Sequence, residues 1–168
     1  LEYETKVNAT PEGQATMASI KADIEGYRDE CDAKIQSQKV MAATEKGDTA
    51  AVKALISQGE AIETVYPHVN TFSDGHTPLI VAARDNHLDI VKLLLDNGAE
   101  VDVHDWVFKG YPIHKATYNG RPDVLRALLE SPKMNTKVIN VQGDINGYTP
   151  LTDALWHGFE ECANILLD

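Results

Sequence analysis

The chain has 168 residues, 43% of them apolar and 24% charged, with a net charge of −11. This fits one ordinary domain or a small repeat array of the soluble globular class. No apolar run approaches the roughly 18 residues of a membrane-spanning helix. The acidic balance makes nucleic acid a poor partner, because phosphate binding needs clustered Lys and Arg.

Residues 1–9 read as a polar arm. The Asn8-Ala9-Thr10 glycosylation pattern is followed at once by Pro11 and is read as a chance match. Thr10-Pro11 instead reads as a helix cap and first helical residue. From there Met17, Ile20, Ile24, Tyr27, Cys31 and Ile35 recur at steps of three and four, the pattern of an amphipathic helix. Its other face carries Lys21, Asp23, Glu25, Arg28, Asp29 and Glu30. The spacing would suit a coiled coil but lasts under three heptads. The expected role of residues 1–37 is an arm and a helix that caps the remainder of the chain; a partner-binding or dimerising helix is the alternative. The two cysteines, Cys31 and Cys162, lie far apart in apolar stripes and are expected to be buried free thiols rather than a disulfide.

The rest of the chain repeats itself. In Gln38–Glu63, Val40 to Ala43 are apolar, Gly47 breaks the helix, Val52, Leu55 and Ile56 form a second stripe, and Gly59 ends it. Asp74–Asp102 says the same more clearly. Thr77 is a hydroxyl cap and Pro78 takes the first helical position, where its missing N–H costs nothing. Leu79, Ile80, Ala82 and Ala83 form a short apolar helix, and Asn86 breaks it, since Asn tolerates the left-handed conformation. Ile90, Val91, Leu94 and Leu95 form the second stripe, and Gly98 stops it. A third copy has Tyr111-Pro112-Ile113-His114, Gly120, and Val124, Leu125, Leu128 and Leu129, ending at Ser131-Pro132. Residues 133–146 read as an expanded connection. The fourth copy has Thr149-Pro150-Leu151, Gly158, and Cys162, Ile165, Leu166 and Leu167. Such short helix pairs cannot bury both apolar faces alone and need copies on either side. The last copy ends before any Gly stop, so a further segment or a partner is expected over its final apolar face.

Asp74–Asp102, with DG-x-TPL-x-x-AA followed by L-x-IVKLLL-x-x-GA-x-V, resembles an ankyrin repeat. Two positions depart: Ile80 stands where the family usually has His, and Tyr111 where it has Thr, while His114 restores the His. The resemblance covers residues 38–168 and implies an all-α ankyrin-repeat solenoid, with repeats at about 38–72, 73–106, 107–145 and 146–168. The lengthened segments and short opening look most like stand-alone bacterial proteins of this family. The cytoplasm is the expected compartment, or the periplasm if a leader preceded Leu1. By resemblance, His114 ties its turn to a neighbour. His87 opens an outer helix and is expected to be solvated.

No phosphate loop, GxGxxG, HExxH, CxxC or GxSxG occurs, and none of the six histidines forms a metal-spaced pair on one helix face. No catalytic, metal or cofactor residue is therefore expected, and no enzyme. The aromatics carry the positive signal. On the map that the resemblance implies, Tyr66, Phe72, Trp106, Phe108, Tyr111 and Tyr148 fall in finger turns. Tyr118 and Trp156 fall at matching places on inner helices. Aromatics supply large contact areas at low entropy cost; the alternative is that they pack their own loops. The resemblance implies non-catalytic binding of another protein, neutral or basic, through the concave face and fingers. The expected contacts are Tyr66, Phe72, Arg84, Trp106, Phe108, Lys109, Tyr118 and Trp156, with Asp105 and Asp144 in a polar rim. No nucleic acid or membrane is expected, and the chain alone is expected to be a monomer. Two other readings stay open. One is an inhibitor or immunity-type subunit that plugs an enzyme with residues 64–73 and 133–146. The other is a structural or oligomerising part of a larger chain.

Overall fold

The computed structural model describes residues 10–65, 75–143 and 147–168, without the side chains of 12–13 and 30–37. The chain divides into two compact units, residues 1–37 and 38–168. The first contains one helix, α1, Pro11–Ser37. It begins where the Thr10-Pro11 pair predicts, and the Gln14 N–H donates to the Thr10 carbonyl at 2.9 Å. On α1, Ile20, Ile24 and Tyr27 are 45%, 56% and 57% exposed.

The second unit is built from helix pairs. These are α2 (Lys39–Glu45) with α3 (Thr49–Ser57), α4 (Pro78–Arg84) with α5 (Leu88–Asp96), α6 (Pro112–Tyr118) with α7 (Pro122–Leu129), and α9 (Pro150–Trp156) with α10 (Glu160–Leu167). The first members stack in the order α2, α4, α6, α9, and the second members in the order α3, α5, α7, α10. This is the expected all-α solenoid. Tyr66 and Phe72 lie outside the described residues, as do Asp144 and most of the plug expected at 64–73.

One local device makes every pair. The second residue after each first helix is left-handed: Gly47 at φ 67°, Asn86 at 64°, Gly120 at 62° and Gly158 at 72°. The next N–H then reaches back to a helix carbonyl. Asp48 donates to Ala43, His87 to Ala82, Arg121 to Ala116 and Phe159 to Ala154, all at 2.8–3.0 Å. This is the six-to-one closure of a Schellman turn, which satisfies carbonyls that a helix end would otherwise strand. The accepting residue is in each case a buried alanine. A small side chain there lets neighbouring first helices approach closely, since helix separation depends on the residues at the contact.

The turns before the first helices differ in how they are capped. Thr77 Oγ1 accepts from the Ile80 N–H and Thr149 Oγ1 from the Thr152 N–H, both at 3.3 Å. Tyr111 has no such hydroxyl reach. Its N–H instead donates to His114 Nδ1 at 3.4 Å, and His114 Nε2 lies 3.1 Å from the Tyr148 carbonyl. Both contacts are satisfied by the neutral ring with its proton on Nε2. His114 thus ties its turn to the next, as expected.

Two expectations are corrected. Residues 133–146 are not simply an open connection. They contain a short helix, α8 (Thr136–Ile139), whose N-cap Asn135 accepts from the N–H groups of Lys137 and Val138. Val138 is buried in the core, and so a hydrophobic anchor holds this segment down. His87 is not fully solvated: a Cβ at Gly47 would lie 2.7 Å from its ring, so the imidazole rests directly on that glycine.

Candidate functional site

Two large aromatics stand out on the first-helix side. Tyr118 ends α6 and Trp156 ends α9, each two residues before its pair's left-handed glycine. They are 54% and 72% exposed. The reason is the helix period. The buried positions of α6 and α9, Ile113 and Ala116 in one and Ala154 in the other, turn toward the stacked helices, while Tyr118 and, on α9, both Leu155 and Trp156 are rotated away from them.

Neighbouring rings hold these side chains. Tyr118 meets His157 edge-on at 4.3 Å between centroids, His157 stacks on Phe159 at 6.0 Å, and Trp156 lies 6.1 Å from Tyr148. Phe159 in turn lies over Gly120, where a Cβ would come within 2.6 Å of its ring. The third and fourth repeats therefore share the Tyr118–His157–Phe159 cluster, and Trp156 pairs with Tyr148 within the fourth. His87 on Gly47 and Phe159 on Gly120 are the same contact made twice: the residue that opens one outer helix covers the breaking glycine of the preceding pair. Neither His157 nor Phe159 stood among the expected contacts. The sequence signal for Phe159 is its equivalence to His87.

Arg84 occupies the position equivalent to Tyr118 and Trp156, but its chemistry is already engaged. Its guanidinium grips Asp85 through Nε at 2.7 Å and Nη2 at 2.8 Å, and Nη1 lies 3.4 Å from His76 Nδ1. The hydrogen bonds from Arg84 hold the Asp85 carboxyl below the usual carboxylate range against a smaller opposing effect of burial.

The finger between α5 and α6 is organised around Asp105, which is fully buried and not part of an exposed rim. Its Oδ1 accepts from the Val107 N–H at 3.1 Å and the Phe108 N–H at 2.6 Å. Its Oδ2 lies 2.7 Å from Lys115 Nζ and 3.7 Å from His76 Nε2. Burial alone would raise this carboxyl's pKa, but the nearby His76 and Lys115 and donation from the Phe108 N–H outweigh it and hold the group well below its ordinary range. At 3.7 Å the His76 contact is the weak member; Lys115 and the two backbone donors sit at bonding distance.

This buried anchor shapes what the finger presents. Lys115 Nζ lies 5.6 Å from the centre of the Phe108 ring, and Phe108 itself is half-buried. Trp106 is 42% exposed and presses on Gly75, where a Cβ would meet its Cγ at 2.5 Å. Lys109 is exposed and left-handed at φ 50°, a strained conformation for a residue with a Cβ. Of the expected contacts, Trp106, Lys109, Tyr118 and Trp156 are thus exposed; Phe108 and Arg84 are half-buried and partnered. Among the described residues no cluster of three or more His, Cys, Asp or Glu could hold a metal ion, and no helix is long and apolar enough to cross a membrane. Cys162 is a buried free thiol, and burial raises its pKa.

Residues 23–105 and 103–168 match the family described as ankyrin repeats (3 copies). The chain belongs to the ankyrin repeat family. Its relatives are spread widely. It is 36% identical over 84 residues to alpha-latrotoxin-Lt1a of Latrodectus tredecimguttatus, covering 50% of this chain and 6% of the toxin. It is 34% identical over 99 residues to a putative ankyrin repeat protein of Rickettsia bellii, covering 59% of this chain and 37% of that protein. It is 29% identical over 130 residues to a protein of Oryza sativa described as a probable E3 ubiquitin-protein ligase, covering 77% of this chain and 23% of that protein. The chain thus spans well under half the length of each of these relatives. Ankyrin repeats are generally protein–protein interaction modules and generally non-catalytic.

Proposed function

We propose that this ankyrin repeat chain is a non-catalytic recognition module that binds another protein through the exposed first-helix side of its third and fourth repeats, together with the finger at residues 105–110. One observation carries the reading. Tyr118 and Trp156 are large, exposed, at equivalent positions, and held by neighbouring rings. Burying such a side chain yields much area with little ordering cost, because its rotamer is already restricted. Lys109 and Trp106 extend the surface along the finger. The partner is a neutral or basic protein, as the charge of −11 favours, and not a nucleic acid or a membrane. The chain has the character of the stand-alone bacterial type, a reading supported by the Rickettsia bellii relative.

The test is affinity capture from cells of the source organism with the wild-type chain, repeated with Trp156→Ala and Tyr118→Ala. A specific partner should be retained by the wild type and lost or weakened at least tenfold by each variant, with the melting curve nearly unchanged. If both folded variants keep the partner at full affinity, recognition lies elsewhere.

A further inference from the structure

Helix α1 carries a heptad seam of its own. Taking Met17 as a heptad a position puts Ile20 at d, Ile24 at a, Tyr27 at d and residue 31 at the next a. Ile20, Ile24 and Tyr27 are all exposed on this helix. Along the flanks, Lys21 and Arg28 fall at e, Thr16 and Asp23 at g, and Lys21, Asp23 and Arg28 are exposed. Gly26 falls at the outward c position, with open space around its Cα. A glycine inside a helix costs about 1 kcal/mol relative to Ala, so α1 is a helix that would gain from pairing.

We infer that α1 pairs in parallel with α1 of a second copy of this chain. The charges select both occupant and direction. In a parallel pair, g of one helix faces e of the next heptad on the other. Asp23 then meets Arg28 of the second copy, twice by symmetry, and Thr16 meets Lys21 without conflict. In an antiparallel pair, e faces e and g faces g. Lys21 and Arg28 would then confront their own kind, and Asp23 would meet no cation. The seam from residue 17 to 31 is roughly 21 Å long at 1.5 Å per residue, so association is weak and shows itself at high chain concentration. Because the repeats follow α1 directly in the chain, pairing puts two recognition surfaces in one particle and raises avidity for a multivalent partner.

The experiment is sedimentation equilibrium of the intact chain from about 5 μM to 1 mM, without any partner protein, so that it succeeds or fails separately from the recognition reading. The mass should rise with concentration from 18.4 kDa toward twice that value. Ile24→Asn should abolish the rise while leaving the array's melting unchanged. Arg28→Glu places like charges together and should weaken association about tenfold. The exchanged variant Asp23→Lys with Arg28→Glu should return it to within about threefold of wild type. A strict monomer at 1 mM, a mass of three chains, or a dimer indifferent to Ile24→Asn overturns the inference. So does a dimer whose affinity is unmoved by Arg28→Glu and by the exchange.

Discussion

Asp105→Ala is expected to destabilise the repeat array by about 3–5 kcal/mol, the range for removing one partner of a buried ion pair. Three groups lose their acceptor at once. Lys115 Nζ sits 2.7 Å from Oδ2 with only 14% of its side chain exposed, and the N–H groups of Val107 and Phe108 are 3.1 and 2.6 Å from Oδ1. Each orphaned backbone donor costs about 1–3 kcal/mol, less where water can enter. Asp105→Asn keeps an oxygen for the backbone donors and loses the charge, so about 1–3 kcal/mol is expected. Adding Lys115→Met to Asp105→Ala should recover part of the loss, because the stranded ammonium is removed. The assay is urea denaturation followed by circular dichroism at pH 7. The pH dependence follows from the carboxyl's depressed folded pKa. Its contribution is complete above the unfolded carboxylate range near pH 4 and is lost as pH falls toward the lower folded value. Wild type should therefore lose stability more steeply than Asp105→Asn below about pH 4. An Asp105→Ala loss under about 1 kcal/mol at pH 7, or parallel pH profiles for wild type and Asp105→Asn, would refute the reasoning.

Other substitutions probe separate links. Gly120→Ala puts a Cβ on a left-handed residue and within 2.6 Å of the Phe159 ring; a loss of about 1–3 kcal/mol in the same denaturation assay is expected. Lys109→Gly relieves the positive φ at the finger tip, worth about 1–2 kcal/mol against about 0.5–1 kcal/mol of added unfolded-state freedom, and should stabilise by about 0.5–1 kcal/mol in calorimetry. Thr77→Ala removes the cap over the Ile80 N–H and should cost about 1 kcal/mol, whereas Tyr111→Thr, which installs a capping hydroxyl, should cost less. Trp156→Ala should change stability by under about 0.5 kcal/mol, because the ring is 72% exposed, and its effect belongs in binding measurements.

Much of the fold was legible in the residues because its rules are short-range. A left-handed Gly or Asn, a hydroxyl or proline at a helix start, and apolar spacing of three and four act within one turn. Four copies of the same statement removed the ambiguity that one short helix leaves. The short helix within the connection 133–146 was not legible, because Asn135 caps only four helical residues, too few to show a period. The site was legible in outline: position in the repeat placed Tyr118 and Trp156 on the exposed side of their helices. It did not reveal that His157 and Phe159 pack beside Tyr118.

The sequence by itself determined the repeat architecture, the helix breaks, and the matching places of Tyr118 and Trp156 at the ends of their first helices. Tertiary structure alone decided which polar residues remain available. Asp105 and Arg84 look alike in sequence as charged residues near a turn, yet one is a buried anchor and the other is clasped by Asp85 and His76. Beside near neighbours such as Asp85 and Phe108, both depend on His76, 8 positions from Arg84 and 29 from Asp105. Burial and ion pairing are set by what the stacked repeats bring together, and no local pattern encodes that.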